Sequence, residues 1–138
     1  MLPKTVPALI LLLGLVALSS CGKSSNKATV TGTATYLQRI ALPPDTVMTT
    51  RIEDVSKADA PAEVIGEQVI QTQGKQVPIP FEVSYDASQI QENHSYGLRV
   101  RIEDGTGKLL FINDTNVPVI TRGNPPSDIE VILVQVGG

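Results

Sequence analysis

One cysteine and one histidine are all that this chain of 138 residues offers to thiol or imidazole chemistry. Cys21 could serve as a nucleophile, a metal ligand or the acceptor of an acyl group, and each role needs the thiolate. His94 lies in Gln91-Glu-Asn-His-Ser95, and a single histidine in a polar loop reads as solvated rather than as a base. The carboxylates Asp54, Asp59, Asp86, Glu92, Asp104 and Asp114 fall mainly near turns, where side-chain oxygens accept backbone amides. Gly-x-Ser-x-Gly, His-Glu-x-x-His and glycine-rich phosphate loops do not occur in the sequence. The expectation is a protein that is not an enzyme, with no catalytic residue, no metal site and no cofactor.

The position of Cys21 points to acylation. It follows Lys4 and an uncharged apolar run from Val6 to Leu18, the layout of a secretory signal peptide. As a helix that run would reach roughly 20 Å, short of the ~30 Å hydrocarbon core of a bilayer. Leu18-Ser19-Ser20-Cys21 resembles the lipobox of bacterial lipoproteins, in which small residues admit the backbone to a peptidase and the cysteine sulfur takes the lipid. Residues 1–20 are therefore expected to be a signal peptide and Cys21 the lipidated new N-terminus. At about 0.8 kcal/mol per buried methylene, one acyl chain holds a protein marginally and further chains make attachment permanent.

An acylated Cys21 leaves no thiol for a disulfide, so the domain must hold by packing alone. Residues 21–28 read as a lipidated tether, small and polar from Gly22 to Lys27. A non-acidic residue after the lipidated cysteine resembles outer-membrane cargo, which implies anchoring in the cell envelope on the periplasmic face of the outer membrane. The net charge of −3 offers no basic stripe, and no nucleic-acid partner is expected.

Residues 29–138 alternate as strands do. Val30, Gly32, Ala34 and Tyr36 share one face of a first run, with Thr29, Thr31, Thr33 and Thr35 on the other. Val77, Ile79, Phe81, Val83 and Tyr85 share a face of another. There Pro78 and Pro80 remove donors from one side of the ribbon, which predicts an edge strand. Further strands are expected over 47–53, 64–71, 96–103, 109–113, 117–120 and 129–136, the last apolar on both faces and hence interior. About seven or eight short strands predict an all-β fold, an antiparallel β-sandwich. Arg51-Ile-Glu-Asp54 recurs as Arg101-Ile-Glu-Asp104 without similar flanks, so both copies read as strand ends with Ile inward and Arg and Glu outward.

The ordered blocks QRIALPPDT, RIEDVSKADAPAEVI, PIPFEVSYD and YGLRVRIEDGTGKLLFINDTNVPVITRG make the chain similar to the YbaY-like lipoprotein family, to which the YscW-type lipoprotein chaperones, or pilotins, of type III secretion are related. That resemblance implies a β-sandwich lipoprotein without catalysis, and for a pilotin a secretin subunit escorted to the outer membrane. The family's marked positions fall on Arg39, Leu42, Pro43, Pro44, Asp54, Val55, Ser56, Asp59 and Pro61. These residues read structurally as stiffened turns. The alternative is that Asp54, Val55, Ser56, Lys57, Asp59 and Pro61 form a fixed rim that binds a partner. A sheet edge left unpaired could also accept a partner strand.

Two functions stay open: a protein-binding, chaperone-like envelope lipoprotein, or one that binds envelope polysaccharide or a small ligand. Sugar binding favours exposed aromatic faces, and Tyr36, Tyr85, Tyr96, Phe81 and Phe111 fall mostly on expected core faces. Cys21→Ala is expected to abolish palmitate labelling and to release the protein from the membrane fraction; labelling that survives the substitution would end the lipobox reading.

Overall fold

The computed structural model describes Pro3, Gly14 and residues 26–137. Cys21, the rest of the expected signal segment and the tether through Ser25 lie outside the described residues. From Lys27 onward the alternating runs form strands: β1 (Lys27–Tyr36), β2 (Val47–Asp54), β3 (Glu63–Gln71), β4 (Ile79–Asp86), β5 (Tyr96–Glu103), β6 (Leu109–Ile112), β7 (Val117–Val119) and β8 (Ile129–Gln135). One short 3-10 turn, Ala87–Gln89, follows β4.

The architecture differs from the expected antiparallel sandwich. The strands make one mixed eight-stranded sheet in the order β3-β2-β5-β6-β8-β1-β4, with β7 added beside β5. The sheet curls until its two ends, β3 and β4, nearly meet. The mixed character comes from β1 and β8, which pair in parallel from Gly32↔Ile129 to Tyr36↔Leu133. This pairing demands a bare backbone at Gly32, because a Cβ there would collide with the carbonyl oxygen of Ile129. Period-two alternation is common to sandwiches and barrels, so it could not reveal this closure.

The edge expectation for the proline-marked strand holds. β4 pairs with β1 alone along its length, from Lys27↔Asp86 to Ala34↔Ile79. On its other side the amide of Glu82 donates to Gln68 Oε1 of β3 at 2.8 Å. Pro80, two residues earlier, presents the same edge and has no hydrogen to give. A backbone ladder between β3 and β4 is therefore blocked, and a side chain bridges them instead. Close packing continues nearby, where a Cβ on Gly66 would sit 2.5 Å from the Ser84 carbonyl oxygen.

Inside the curl lie Val30, Met48, Ile52, Val83, Val100, Ile102, Val119 and Val131, all fully buried. Burial of each such side chain contributes roughly 1.5–3 kcal/mol. Tyr36 stacks on Phe111 with ring centroids 4.0 Å apart. The two Arg-Ile-Glu-Asp copies lie on neighbouring antiparallel strands, with Ile52 and Ile102 in the core. Their arginines lie on the outer face, in the ion pairs Arg51–Glu67 and Arg101–Glu103 at 2.6 and 2.8 Å.

β6 and β7 are one interrupted strand along a single side of β5, pairing Arg101↔Ile112 and then Leu98↔Val117. Where the chain swings out between them, Asn113 replaces the missing backbone. Its Oδ1 accepts from the Val100 amide at 2.8 Å, and its Nδ2 donates to the Leu98 carbonyl at 2.9 Å. The side chain is buried. Asn113→Leu strands a buried donor and a buried acceptor, each costing about 1–3 kcal/mol. The variant is expected to lose about 2 kcal/mol or more, read as a lower urea midpoint; an unchanged midpoint would refute this role for Asn113.

Candidate functional site

The loop that follows β2 is fixed at its root. The Asp54 carboxylate accepts through Oδ1 from the Ser56 amide and hydroxyl, at 3.0 and 2.6 Å. Its Oδ2 meets His94 Nδ1 at 2.6 Å. Val55 donates its amide to the Ser95 carbonyl at 2.9 Å, and the Ser95 amide donates to Ser56 Oγ at 2.8 Å. A third loop joins them, since Thr121 Oγ1 and Arg122 Nη2 donate to the carbonyls of His94 and Asn93. Polar residues from three separate connections thus tie the 55–62 loop to the 87–95 and 120–128 segments.

His94 is accordingly not the solvated residue that the sequence suggested. Its side chain is only 24% exposed and its partner Asp54 only 14%. The misreading has a simple cause, because Asp54 lies 40 positions away in the chain. A different signal was available: Asp-x-Ser/Thr stands at the ends of β2, β4 and β5, as Asp54–Ser56, Asp86–Ser88 and Asp104–Thr106. In all three the carboxylate accepts from both the amide and the hydroxyl of the residue two positions on. Each aspartate ends its strand by an Asx turn.

The site residues therefore divide. Asp54 and Ser56 are occupied in holding the loop, as the structural reading expected. Val55, Lys57, Asp59 and Pro61 are exposed and available for contact. Val55 also borders an open groove of about 410 Å³ with Glu53, Arg99 and Asp114 among its walls. Arg39, Leu42, Pro43 and Pro44 precede β2 at its opposite end, so the structure does not join them to this loop. There Leu42 is buried, its amide and carbonyl both held by the Gln76 side chain at 2.7 and 3.2 Å. Among the described residues no three His, Cys, Asp or Glu side chains gather as a metal site. The Asn26 carbonyl accepts from the Ala87 amide at 2.7 Å, so the chain joins the fold at the same end as the 55–62 loop.

Comparison with known proteins supplies the class of this curled all-β domain. The chain belongs to the family of type III secretion system lipoprotein chaperones, YscW, matched over residues 25–131. Among its relatives is the uncharacterized lipoprotein YbaY of Escherichia coli (strain K12), 40% identical over 106 residues, covering 77% of this chain and 55% of that protein. This chain thus spans about half the length of that curated relative. An alternative pilotin from the type II secretion system of Vibrio cholerae has a similar structure, with a TM-score of 0.77 and 42% identity across 81% of this chain and 99% of that one.

The three Asx turns set an acid limit on stability. Burial alone would raise the Asp54 carboxyl, but hydrogen bonds from Ser56 and His94 and the attraction of the imidazole outweigh it and hold the group below its ordinary 3.8. Asp86 is lowered by the Ser88 hydroxyl and amide, and Asp104 by the Thr106 hydroxyl and the Lys108 amide. A carboxyl lowered by folding stabilises fully above its unfolded value and loses that contribution as pH falls through the folded one. The melting temperature is expected to drop as pH passes below 3.8, with a shallower fall in Asp54→Asn. An identical acid profile in that variant would remove Asp54 from the account.

Proposed function

We propose that this protein is an envelope lipoprotein that binds another protein as a chaperone or pilotin does, without catalysis. In this reading residues 1–20 are a cleaved signal peptide, 21–28 a tether and 29–138 the binding domain. Acyl chains on Cys21 hold it to the periplasmic face of the outer membrane, and a secretin subunit is the partner that a pilotin role implies. The observation that carries the reading is the 42% identical pilotin whose structure is matched over 99% of its length.

The aromatic residues favour a protein partner over a polysaccharide. The chain has three tyrosines, two phenylalanines and no tryptophan, and Tyr36, Tyr85, Tyr96, Phe81 and Phe111 are all buried. No aromatic face remains on which a sugar ring could stack. Lys57, Asp59 and Pro61, with Val55 beside them, are the proposed contact residues, positioned by Asp54 and Ser56. From Cys21 to Asn26 the backbone reaches at most about 18 Å. This would place the loop on the membrane side of the domain.

Exposed loop substitutions usually change stability by less than about 0.5 kcal/mol, so Lys57→Glu and Asp59→Lys are expected to melt like the wild type. Both should recover less of the crosslinked envelope partner, because reversing a charge at an interface opposes its match. Recovery of that partner at wild-type levels from both variants would move the binding surface away from this loop.

A further inference from the structure

β8 is interior in strand order but open along half of one side. It bonds to β1 from Ile129 to Leu133, whereas on its other side it pairs with β6 only at Val134 and Gln135. The Val136 amide donates to the Leu110 carbonyl, which fixes the phase of the ladder. The main-chain groups of Val134 face β6, and by alternation those of Ile132 and Glu130 face the same way. β6 has ended at Ile112, and its continuation, β7, is paired to β5. Among the described residues no backbone hydrogen bond reaches Glu130 or Ile132 from that side.

This edge lacks the protection seen on the others. Pro80 and the Gln68 bridge obstruct β4, and β7 is three residues long with Pro118 at its centre. Along β8, by contrast, the outward residue between the open groups and the β6 junction is Ile132, 47% exposed. Natural sheets rarely leave an apolar edge with free donors and acceptors, since it templates another strand. The rim is acidic: Glu130 shares the outward face of Ile132, Asp128 precedes the strand, and Asp114 lies two residues beyond Ile112. All three are exposed.

We propose that the open edge of β8 at Glu130–Ile132 accepts an extended segment of the protein partner as an added antiparallel strand, beyond the end of β6 and between β8 and β7. The occupant carries an apolar side chain against Ile132 and basic side chains facing Glu130, Asp128 and Asp114. Backbone pairing supplies the hold, and the apolar and charged contacts set the register. The inference rests on the reading that this chain binds a protein, and it adds where the partner pairs and what sequence it presents.

The probe is a short synthetic peptide with lysine and valine in turn at every second position and threonine between them, so that both face the same way when extended, added to the full-length lipidated chain in detergent. Its control is the same peptide N-methylated at alternate residues, which keeps charge and apolarity but loses the strand donors. Amide exchange at Glu130 and Ile132 is expected to slow by about tenfold with the first peptide and not with the second. Ile132→Pro should remove the response and still melt cooperatively, because the amide it deletes bonds to nothing within the fold. Equal slowing by both peptides, or protection confined to residues 54–62, would overturn the proposal, and this comparison on the unaltered chain decides even if the proline variant unfolds. In cells, undiminished partner recovery by a folded Ile132→Pro would reject the edge while leaving the chaperone reading intact. Failure of the wild type to recover any partner would reject that reading, and the peptide measurement would still judge the edge.

Discussion

How closely two backbones approach at Gly32 governs the shape of this domain. β8 can lie parallel against β1 only because nothing projects from Gly32 toward the Ile129 carbonyl. That contact joins the β3-β2-β5-β6 side of the sheet to the β1-β4 side, and the curl that encloses the core follows from it. Removing this junction would leave Val131 and Leu133 without the wall formed by Val30 and Ala34. A side chain at Gly32 is therefore a fault in topology as well as in packing.

Closure at the opposite side of the curl is achieved with less. A proline stands where β4 would need to donate, so Gln68 reaches across to Glu82 and the two strands remain neighbours without becoming a ladder. β3 consequently has one true strand partner and no buried residue. Among the eight strands it depends most on its neighbour and least on the core. Local opening in such a fold begins where apolar burial is smallest, which here is β3 itself.

Most strands were readable because they alternate strongly on their own, and β4 was readable as an edge because Pro78 and Pro80 fall two apart. The parallel β1–β8 junction was not, since pairing between the two ends of a domain leaves no local mark beyond one glycine in an alternating run. For the same reason His94 looked solvated, its carboxylate partner being set by the meeting of two loops. The role of Asn113 was hidden too, because its side chain stands in for a backbone interruption visible only once β6 and β7 are aligned on β5. By contrast, the Asp-x-Ser/Thr strand ends could be read directly, and they explain why so many carboxylates sit at turns. The exposed loop residues carry no sequence mark that separates contact from connection.

The pairing of β1 with both β4 and β8 has a consequence for how the chain comes to be folded. Synthesis delivers β1 first and β8 last, so the earliest strand waits for the latest before the sheet can close. Until then one side of β1 is a row of unsatisfied amides beside threonines and a glycine, a soft template for the wrong neighbour. Contacts between distant segments also carry the largest loop-closure cost and form slowly. A polypeptide built this way cannot complete its sheet until its last strand has been made.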